Sequence, residues 1–364
     1  MAVSTIDPNG LNVGQFGNRN LIINGDMQVA QRGTSATAFS YATVDRWAAM
    51  PGSTSTLAIT QEPTDDAPSG FGKSYKITTD TAETMSGSKQ LAVFHAIEAQ
   101  NLQQLGYGTA NAQSITVSFW VKSSVTGAYC LSLYENDDSR NIGATYTINS
   151  ANTWEYKTIT FPPDTVGVID NNNGAGLETY FFLSVGPDRK TTDNTSWATW
   201  SAARFGYGQV ADVAGTTNAT WQITGVQLEV GDTATPFEHR SYGDELARCQ
   251  RYYHKYGSTL DGSTYQMLAN GFLPTTSRIF STFAFSPPMR TQPTMSTTGT
   301  PANYAVMNAN ANTAVTSGPS IDGQTSEQTV FLFADTGATM TAGQGAILRG
   351  NGTSAAFLGF DAEL

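Results

Sequence analysis

A chain of 364 residues is too long for one ordinary sandwich and comfortable for two β domains. Only 13% of its residues are charged while 11% are aromatic; the aromatic content excludes a disordered chain, and a typical soluble enzyme carries roughly a quarter charged residues. With 19 Lys and Arg against 30 Asp and Glu the net charge is −11, and no basic cluster interrupts it, so nucleic acid is not an expected partner. A polar but weakly charged skin of this kind fits an extracellular or particle-surface β protein.

Residues 1–18 carry Ile6, Leu11, Val13 and Phe16 as their main apolar groups, too few to bury a core. They are expected to form an extended arm that orders against another protein, although composition alone fits a frayed terminus equally well. Met1 to Pro8 show neither a basic n-region nor an apolar h-region, so a signal peptide is not expected. No stretch approaches the ~20 apolar residues of a membrane span. The expectation is synthesis and retention in a cytoplasm.

From 19 to 240 the dominant period is two. Ile115, Val117, Phe119 and Val121 alternate with Thr116, Ser118, Trp120 and Lys122; Tyr129, Leu131 and Leu133, Ile159 and Phe161, and Phe181, Leu183 and Val185 repeat the pattern. Turn-forming clusters such as Asn171-Asn172-Asn173-Gly174 and 213–218 separate these runs, which predicts a large sandwich or jelly roll. Ile97, Asn101, Leu102 and Leu105 fall near helical spacing, so a short helix over 96–105 is expected to cap the sandwich and stop at Gly106.

A second helix is expected over 241–256. Asp244 and Glu245 suit its positive end and Gly257 supplies a stop. Tyr242, Leu246, Cys249, Tyr253 and Tyr256 are spaced four, three, four and three, a heptad seam that would place three copies around one axis; docking of the stripe on its own domain is the equal alternative. Residues 257–364 read as a smaller β-sandwich, with Phe283 and Phe285 in one strand and Leu358, Phe360, Ala362 and Leu364 in a last strand running to the final residue. Its few large apolar groups imply a thin core that association would complete. Cys130, in a predicted strand, and Cys249, in a predicted helix, are too few for a disulfide scaffold and are expected to be buried small hydrophobes.

Several runs resemble the fibre and appendage proteins of tailed bacteriophages. They are Asn20-Leu21-Ile22-Ile23-Asn24-Gly25-Asp26-Met27 with Val44-Asp45-Arg46-Trp47, then Ser118-Phe119-Trp120-Val121-Lys122, and Gly225-Val226-Gln227-Leu228-Glu229. The most specific is Thr235-Pro236-Phe237-Glu238-His239-Arg240-Ser241-Tyr242 leading into Cys249-Gln250-Arg251-Tyr252-Tyr253, and Leu358-Gly359-Phe360-Asp361-Ala362-Glu363-Leu364 looks like the family's ending. The resemblance covers nearly the whole chain from Asn20. It implies a large domain similar to a carbohydrate-binding-module jelly roll, a homotrimer, a place on the virion with other virion proteins as partners of the arm, and host-surface glycan as a ligand. Lysis would release such a particle without an export signal.

The chemistry of the residues favours binding over catalysis. His95, His239 and His254 are the only histidines, and no nucleophile elbow or Cys/His pairing accompanies them. Glu135, Asp137 and Asp138 cluster in sequence, weak grounds for a glycosidase pair. Asp170, heading the Asn/Gly turn, offers hard oxygen ligands, and the jelly-roll modules that the resemblance implies often hold a structural calcium; a plain turn is the simpler reading, and no cofactor is expected. Sugar binding needs exposed rings beside amides or carboxylates. The candidates are Trp197 and Trp200, in a polar stretch, with Tyr134 and Trp120. A depolymerase and a purely architectural head or tail decoration protein are the rival readings.

Overall fold

The computed structural model describes residues 18–37, 39–51, 57–63, 67–257, 264–309, 311–337 and 340–364. The arm residues Ile6, Leu11, Val13 and Phe16 lie outside them. The chain divides into two units, Met1–Ser241 and Tyr242–Leu364. Among the described residues no helix is long and apolar enough to cross a membrane.

Unit 1 is a sandwich of two six-stranded antiparallel sheets, as the alternation predicts. The first runs β1 (Ser35–Ala36), β3 (Leu57–Pro63), β4 (Lys73–Thr79), β12 (Thr220–Val230), β6 (Ile115–Ser123), β9 (Glu155–Phe161). The second runs β11 (Ala198–Thr199), β8 (Arg140–Ile148), β7 (Gly127–Glu135), β10 (Ala175–Val185), β5 (Gln90–Glu98), β2 (Ala48–Pro51). Between them Ile115, Val117, Phe119 and Val121 of β6 meet Tyr129, Leu131 and Leu133 of β7 and Phe181 of β10, all fully buried. Cys130 is a free, buried thiol, raised to about 12 by its burial, as expected of a small core hydrophobe.

Several of the runs singled out in the sequence are locks between distant segments. Glu238 accepts the backbone N–H groups of Asn18 (2.8 Å) and Asn20 (2.7 Å), and Arg240 donates to the Ile22 carbonyl at 3.1 Å. Asn20 donates to the Val226 carbonyl (3.0 Å) and accepts from the N–H groups of Ile22 and Leu228. Trp47, fully buried, donates its indole N–H to the Asn24 carbonyl at 3.0 Å. Gly225 sits at φ +61° at the bulge of β12 against β6, where a Cβ would stand 2.6 Å from the Phe71 ring.

The helix expected over 96–105 is not formed. β5 continues through Glu98, and two short 3-10 turns follow, Ala99–Asn101 and Gln103–Leu105, closed by Gly106 at φ +60°. The N–H groups of Ala99 and Gln100 donate to the carbonyls of Gly174 and Asn172 (2.9 and 2.8 Å), so the partners that a helix would need are taken by a neighbouring loop. Ile97, Leu102 and Leu105 are buried all the same.

Unit 2 opens with α1 (Tyr242–Gln250), with Asp244 and Glu245 in its first turn as predicted. The helix ends six residues early. Tyr253–Tyr256 is a strand, β13, pairing antiparallel with β21 (Leu358–Asp361), Tyr253 opposite Asp361 and Tyr256 opposite Leu358. Tyr242, Leu246 and Cys249 therefore lie on a helix but Tyr253 and Tyr256 on a sheet, and the five share no heptad seam. Cys249 and Tyr253 are already buried in the single chain, and Tyr242 is 59% exposed.

β16 (Thr294–Ser296) joins β13 and β21 in a three-stranded sheet. Six further strands close into a barrel in the order β14 (Met267–Phe272), β15 (Arg278–Ala284), β19 (Thr329–Thr336), β18 (Ala311–Ile321), β17 (Tyr304–Asn308), β20 (Gly345–Gly350). The smaller C-terminal β unit thus takes a closed form in place of two open sheets. Phe360 of β21 meets Phe283, Phe285 and Tyr256 ring to ring at 5.1–5.9 Å. The strand pattern stops at Asp361 and does not reach Leu364; beyond it, Ala362 donates to the Tyr252 carbonyl and Arg290 donates to the carbonyls of Ala362 and Glu363.

Candidate functional site

The outer face of the second sheet of unit 1 holds an aromatic surface. Strand register builds it from two adjacent rungs. On one, Phe94 of β5, Tyr180 of β10 and Ser132 of β7 stand side by side; on the next, Ala96, Glu178, Tyr134 and Asn141 do so. Side chains two apart share a face of a strand, so Glu178 and Tyr180 point together, away from the Leu177 and Phe181 that fill the core.

A crossover after β10 lays Phe205 onto this face. Its ring centroid lies 4.8 Å from Tyr180, 5.2 Å from Phe182, and 6.0 Å from both Tyr134 and Trp200, each edge to face. Phe94 stacks on Tyr180 at 5.4 Å and 17°, and Tyr41 meets Phe94 at 5.8 Å. Arg204, just before Phe205, donates to the Ser196 carbonyl at 2.6 Å, and the Trp200 N–H donates to the Ser139 carbonyl at 2.8 Å, fixing the crossover to the β7–β8 turn. The result is a continuous run Phe94, Tyr180, Phe205, Tyr134, Trp200. Trp200 is 39% exposed and Tyr134 and Phe94 are half-buried, so the run shows ring surface to solvent.

Carboxylate chemistry accompanies the rings. Burial raises the Glu178 carboxyl above its ordinary range, while the Tyr180 hydroxyl, which donates to it, pulls the other way. Burial also raises the Tyr180 phenol, with Glu178 adding to the effect. A half-buried carboxylate flanked by rings can accept a sugar hydroxyl while the rings take the C–H face of the pyranose.

Of the four residues singled out in the sequence, Trp200 and Tyr134 belong to this surface, 6.3 Å apart. Trp197 does not. Its ring packs edge to face on Tyr107 at 5.7 Å and its indole N–H donates to the Pro162 carbonyl at 2.8 Å, at the border of the main core. In extended chain a separation of three sends side chains to opposite faces, and 198–199 is strand. Trp120 stands on the other sheet, 5.3 Å from the 45% exposed Tyr156. The sequence reading missed Phe94, Tyr180, Phe205 and Glu178. The available signal was the second parity of β10, where Tyr180 and Phe182 alternate with Phe181 and Leu183.

The other candidate chemistry is absorbed by structure. The Asp137 and Asp138 carboxylates accept the N–H groups of Asp170 (2.9 Å) and Val168 (2.8 Å), joining the β7–β8 turn to the loop before β10. Asn172, beside Asp170, accepts the Gly174 N–H at 2.7 Å, as a plain turn does. Among the described residues no three His, Cys, Asp or Glu side chains gather as a metal set. His95 is buried, accepts the Ile23 N–H and packs on Trp47; burial, then the Arg46 charge, holds it well below the usual imidazole value. His239 lies between Phe71 and Phe237, and His254 stacks on Tyr256. A polar cleft of about 990 Å³ in unit 1, lined by Arg19, Gln104, Gln113, Glu229 and Asp232 among others, holds no aromatic ring and offers no stacking surface.

No family model matches the chain. No curated protein matches it either. Among solved structures, the enzymatically active domain of bacteriophage CBA120 tailspike protein 4 is 11% identical over 58% of this chain, with a TM-score of 0.32, and the matched part spans only 21% of that chain. A family 4 carbohydrate-binding module is 13% identical over 57% of this chain and 97% of its own, TM-score 0.32. The family 11 carbohydrate-binding module of a Clostridium thermocellum cellulosomal cellulase is 11% identical over 56% and 98%, TM-score 0.28. No family membership follows from these scores.

Proposed function

We propose that the chain is a fibre-like appendage protein of a bacteriophage particle that attaches to host-surface glycan through the outer aromatic face of unit 1, without catalysis, as a homotrimer. The observation that carries the glycan part is the run Phe94, Tyr180, Phe205, Tyr134, Trp200 with Glu178 at its centre. The resemblance of the Thr235–Tyr242 run and its companions to phage appendage proteins supports the particle. Three copies of a weak site give avidity with no new contact.

The test is binding of the full chain to an array of bacterial surface polysaccharides, comparing wild type with Trp200→Ala and Tyr134→Ala. Losing one stacked ring costs about 1–2 kcal/mol, a roughly tenfold weaker affinity, with thermal stability nearly intact because Trp200 is exposed. Trp197→Ala is the internal control, expected to lower stability first. Absence of binding to every polysaccharide, or equal binding by Trp200→Ala, overturns the glycan reading. Release of reducing sugars from a bound polysaccharide overturns the non-catalytic part, and cryo-EM of particles decides the location.

A further inference from the structure

With the helix seam dissolved, the apolar surface left for self-association lies elsewhere in unit 2. Four large apolar side chains described in this unit are more than a third exposed, and three fall within eight consecutive residues: Tyr265 at 51%, Met267 at 68% and Phe272 at 51%. A bulge in β14 explains them: the register against β20 shifts between Met267 and Ala269, so Leu268, Ala269 and Leu273 are all buried while Met267, Asn270 and Phe272 stand outside. Register extends the patch to both sides. Phe280 of β15 is opposite Phe272, their rings 6.1 Å apart, Phe331 of β19 lies 5.0 Å beyond, and Ile347 of β20 is opposite Asn270. The charges beside it are stacked or paired: Arg349 lies over the Tyr265 ring at 4.8 Å, and Arg278, two residues along β15 from Phe280, lies over the Phe333 ring and pairs with Asp335 at 2.5 Å.

We infer that this outer face of β14, centred on Met267 and Phe272, is the surface on which a second copy of the chain docks; the inference rests on the homotrimer part of the proposed function and names its contact. Three physical points select a copy. The barrel is closed and leaves no strand edge to extend, so its contacts must be made by side chains on its wall. Copies that each carry a net charge of −11 repel unless they meet where negative charge is offset, as it is here, with Asp335 held by Arg278 and Arg349 close by. The size also matches. A covered aromatic buries roughly 150–250 Å², so the three exposed residues leave about 300 Å² uncovered and Phe280, Phe331 and Ile347 add roughly 150 Å² more. That total of about 450 Å² equals the apolar share, about 57%, of the ~800 Å² each partner contributes to a standard interface.

The experiment is light scattering on the full chain at a series of micromolar concentrations, without glycan. Wild type is expected at a multiple of its 38.8 kDa mass. Met267→Lys/Phe272→Lys is expected to weaken association at least a hundredfold and run as the monomer, while Tyr242→Lys/Leu246→Lys on α1 leaves the mass unchanged. Should the double variant lose its β circular-dichroism signature, Met267→Gln and Phe272→Ser singly carry the same expectation. An oligomer indifferent to the β14 variants overturns the assignment and leaves the homotrimer standing. A wild type that stays monomeric overturns both, and neither result bears on glycan binding.

Discussion

Glu135 and Arg140 stand opposite each other at the closing pair of the β7–β8 hairpin, yet the guanidinium bonds Asp164 (2.5 and 3.1 Å) and leaves both Glu135 oxygens without a hydrogen-bond partner. Two fully or nearly fully buried carboxyls thus share one cation. Burial first, and then the Asp164 and Asp138 charges, push Glu135 up to about 8 against the pull of Arg140. It holds its proton at neutral pH.

A carboxyl whose folded value is raised stabilises the fold below its unfolded value, near 4.5, and loses that contribution as pH rises through about 8. The full window corresponds to on the order of 4 kcal/mol. Glu135→Gln keeps the neutral shape without the titration. The variant should match wild type at pH 5 and exceed it in chemical-denaturation stability at pH 8.5. Parallel stability curves across that range would show that Glu135 is ionised in the fold.

Gly167 lies against the same carboxyl. A Cβ there would stand 2.0 Å from the Glu135 Oε2, 2.8 Å from Arg140 Cδ and 2.9 Å from the Asp164 Oδ2. Gly167→Ala should therefore destabilise by about 1–3 kcal/mol through overpacking. Combining it with Glu135→Ala removes the nearest obstacle, and a double-mutant cycle should recover part of the loss; strict additivity would place the strain elsewhere.

The sandwich was legible wherever a strand has one polar face, as in β6, since period two then marks the core directly. It failed where a long-range partner outbids local spacing. Ile97 to Leu105 have helical intervals, but Gly174 and Asn172 take the N–H groups. Tyr253 and Tyr256 complete a heptad on paper, but β21, a hundred residues later, pairs with them. Of the candidate site only Trp200 and Tyr134 were readable, Trp200 because it sits in a polar stretch. Tyr180 was hidden because β10 is apolar on both faces and alternation alone cannot say which face is the interior.

Asn24 holds one of these locks through its own side chain. At φ +59° it occupies the left-handed region, and its carboxamide donates to the carbonyls of Val29 and Asp45 (2.8 and 2.9 Å) and accepts the Val29 N–H. Asn24→Ala strands these buried groups and adds left-handed strain, for a loss of about 3–4 kcal/mol. Asn24→Gly removes only the hydrogen bonds and should cost roughly 1 kcal/mol less. Equal losses in the two variants would assign the whole effect to the hydrogen bonds.

Acid should weaken the protein through unit 2. His254, buried in β13 opposite Phe360 and stacked on Tyr256 at 4.3 Å, is lowered to about 4 by burial, and its Nδ1 lacks a partner. A histidine lowered in the fold contributes stability above its unfolded value of 6.5 that is lost as pH falls through about 4. The loss amounts to about 2–3 kcal/mol, somewhat below the full linkage value because the ring is not wholly sealed from water. His254→Phe keeps a flat ring on Tyr256 and removes the titration. The stability difference between variant and wild type should therefore widen in the variant's favour between pH 7 and pH 4, read by urea unfolding at each pH. A constant difference would mean that the imidazole titrates alike in the folded and unfolded chain, with its charge accommodated beside the Tyr256 ring.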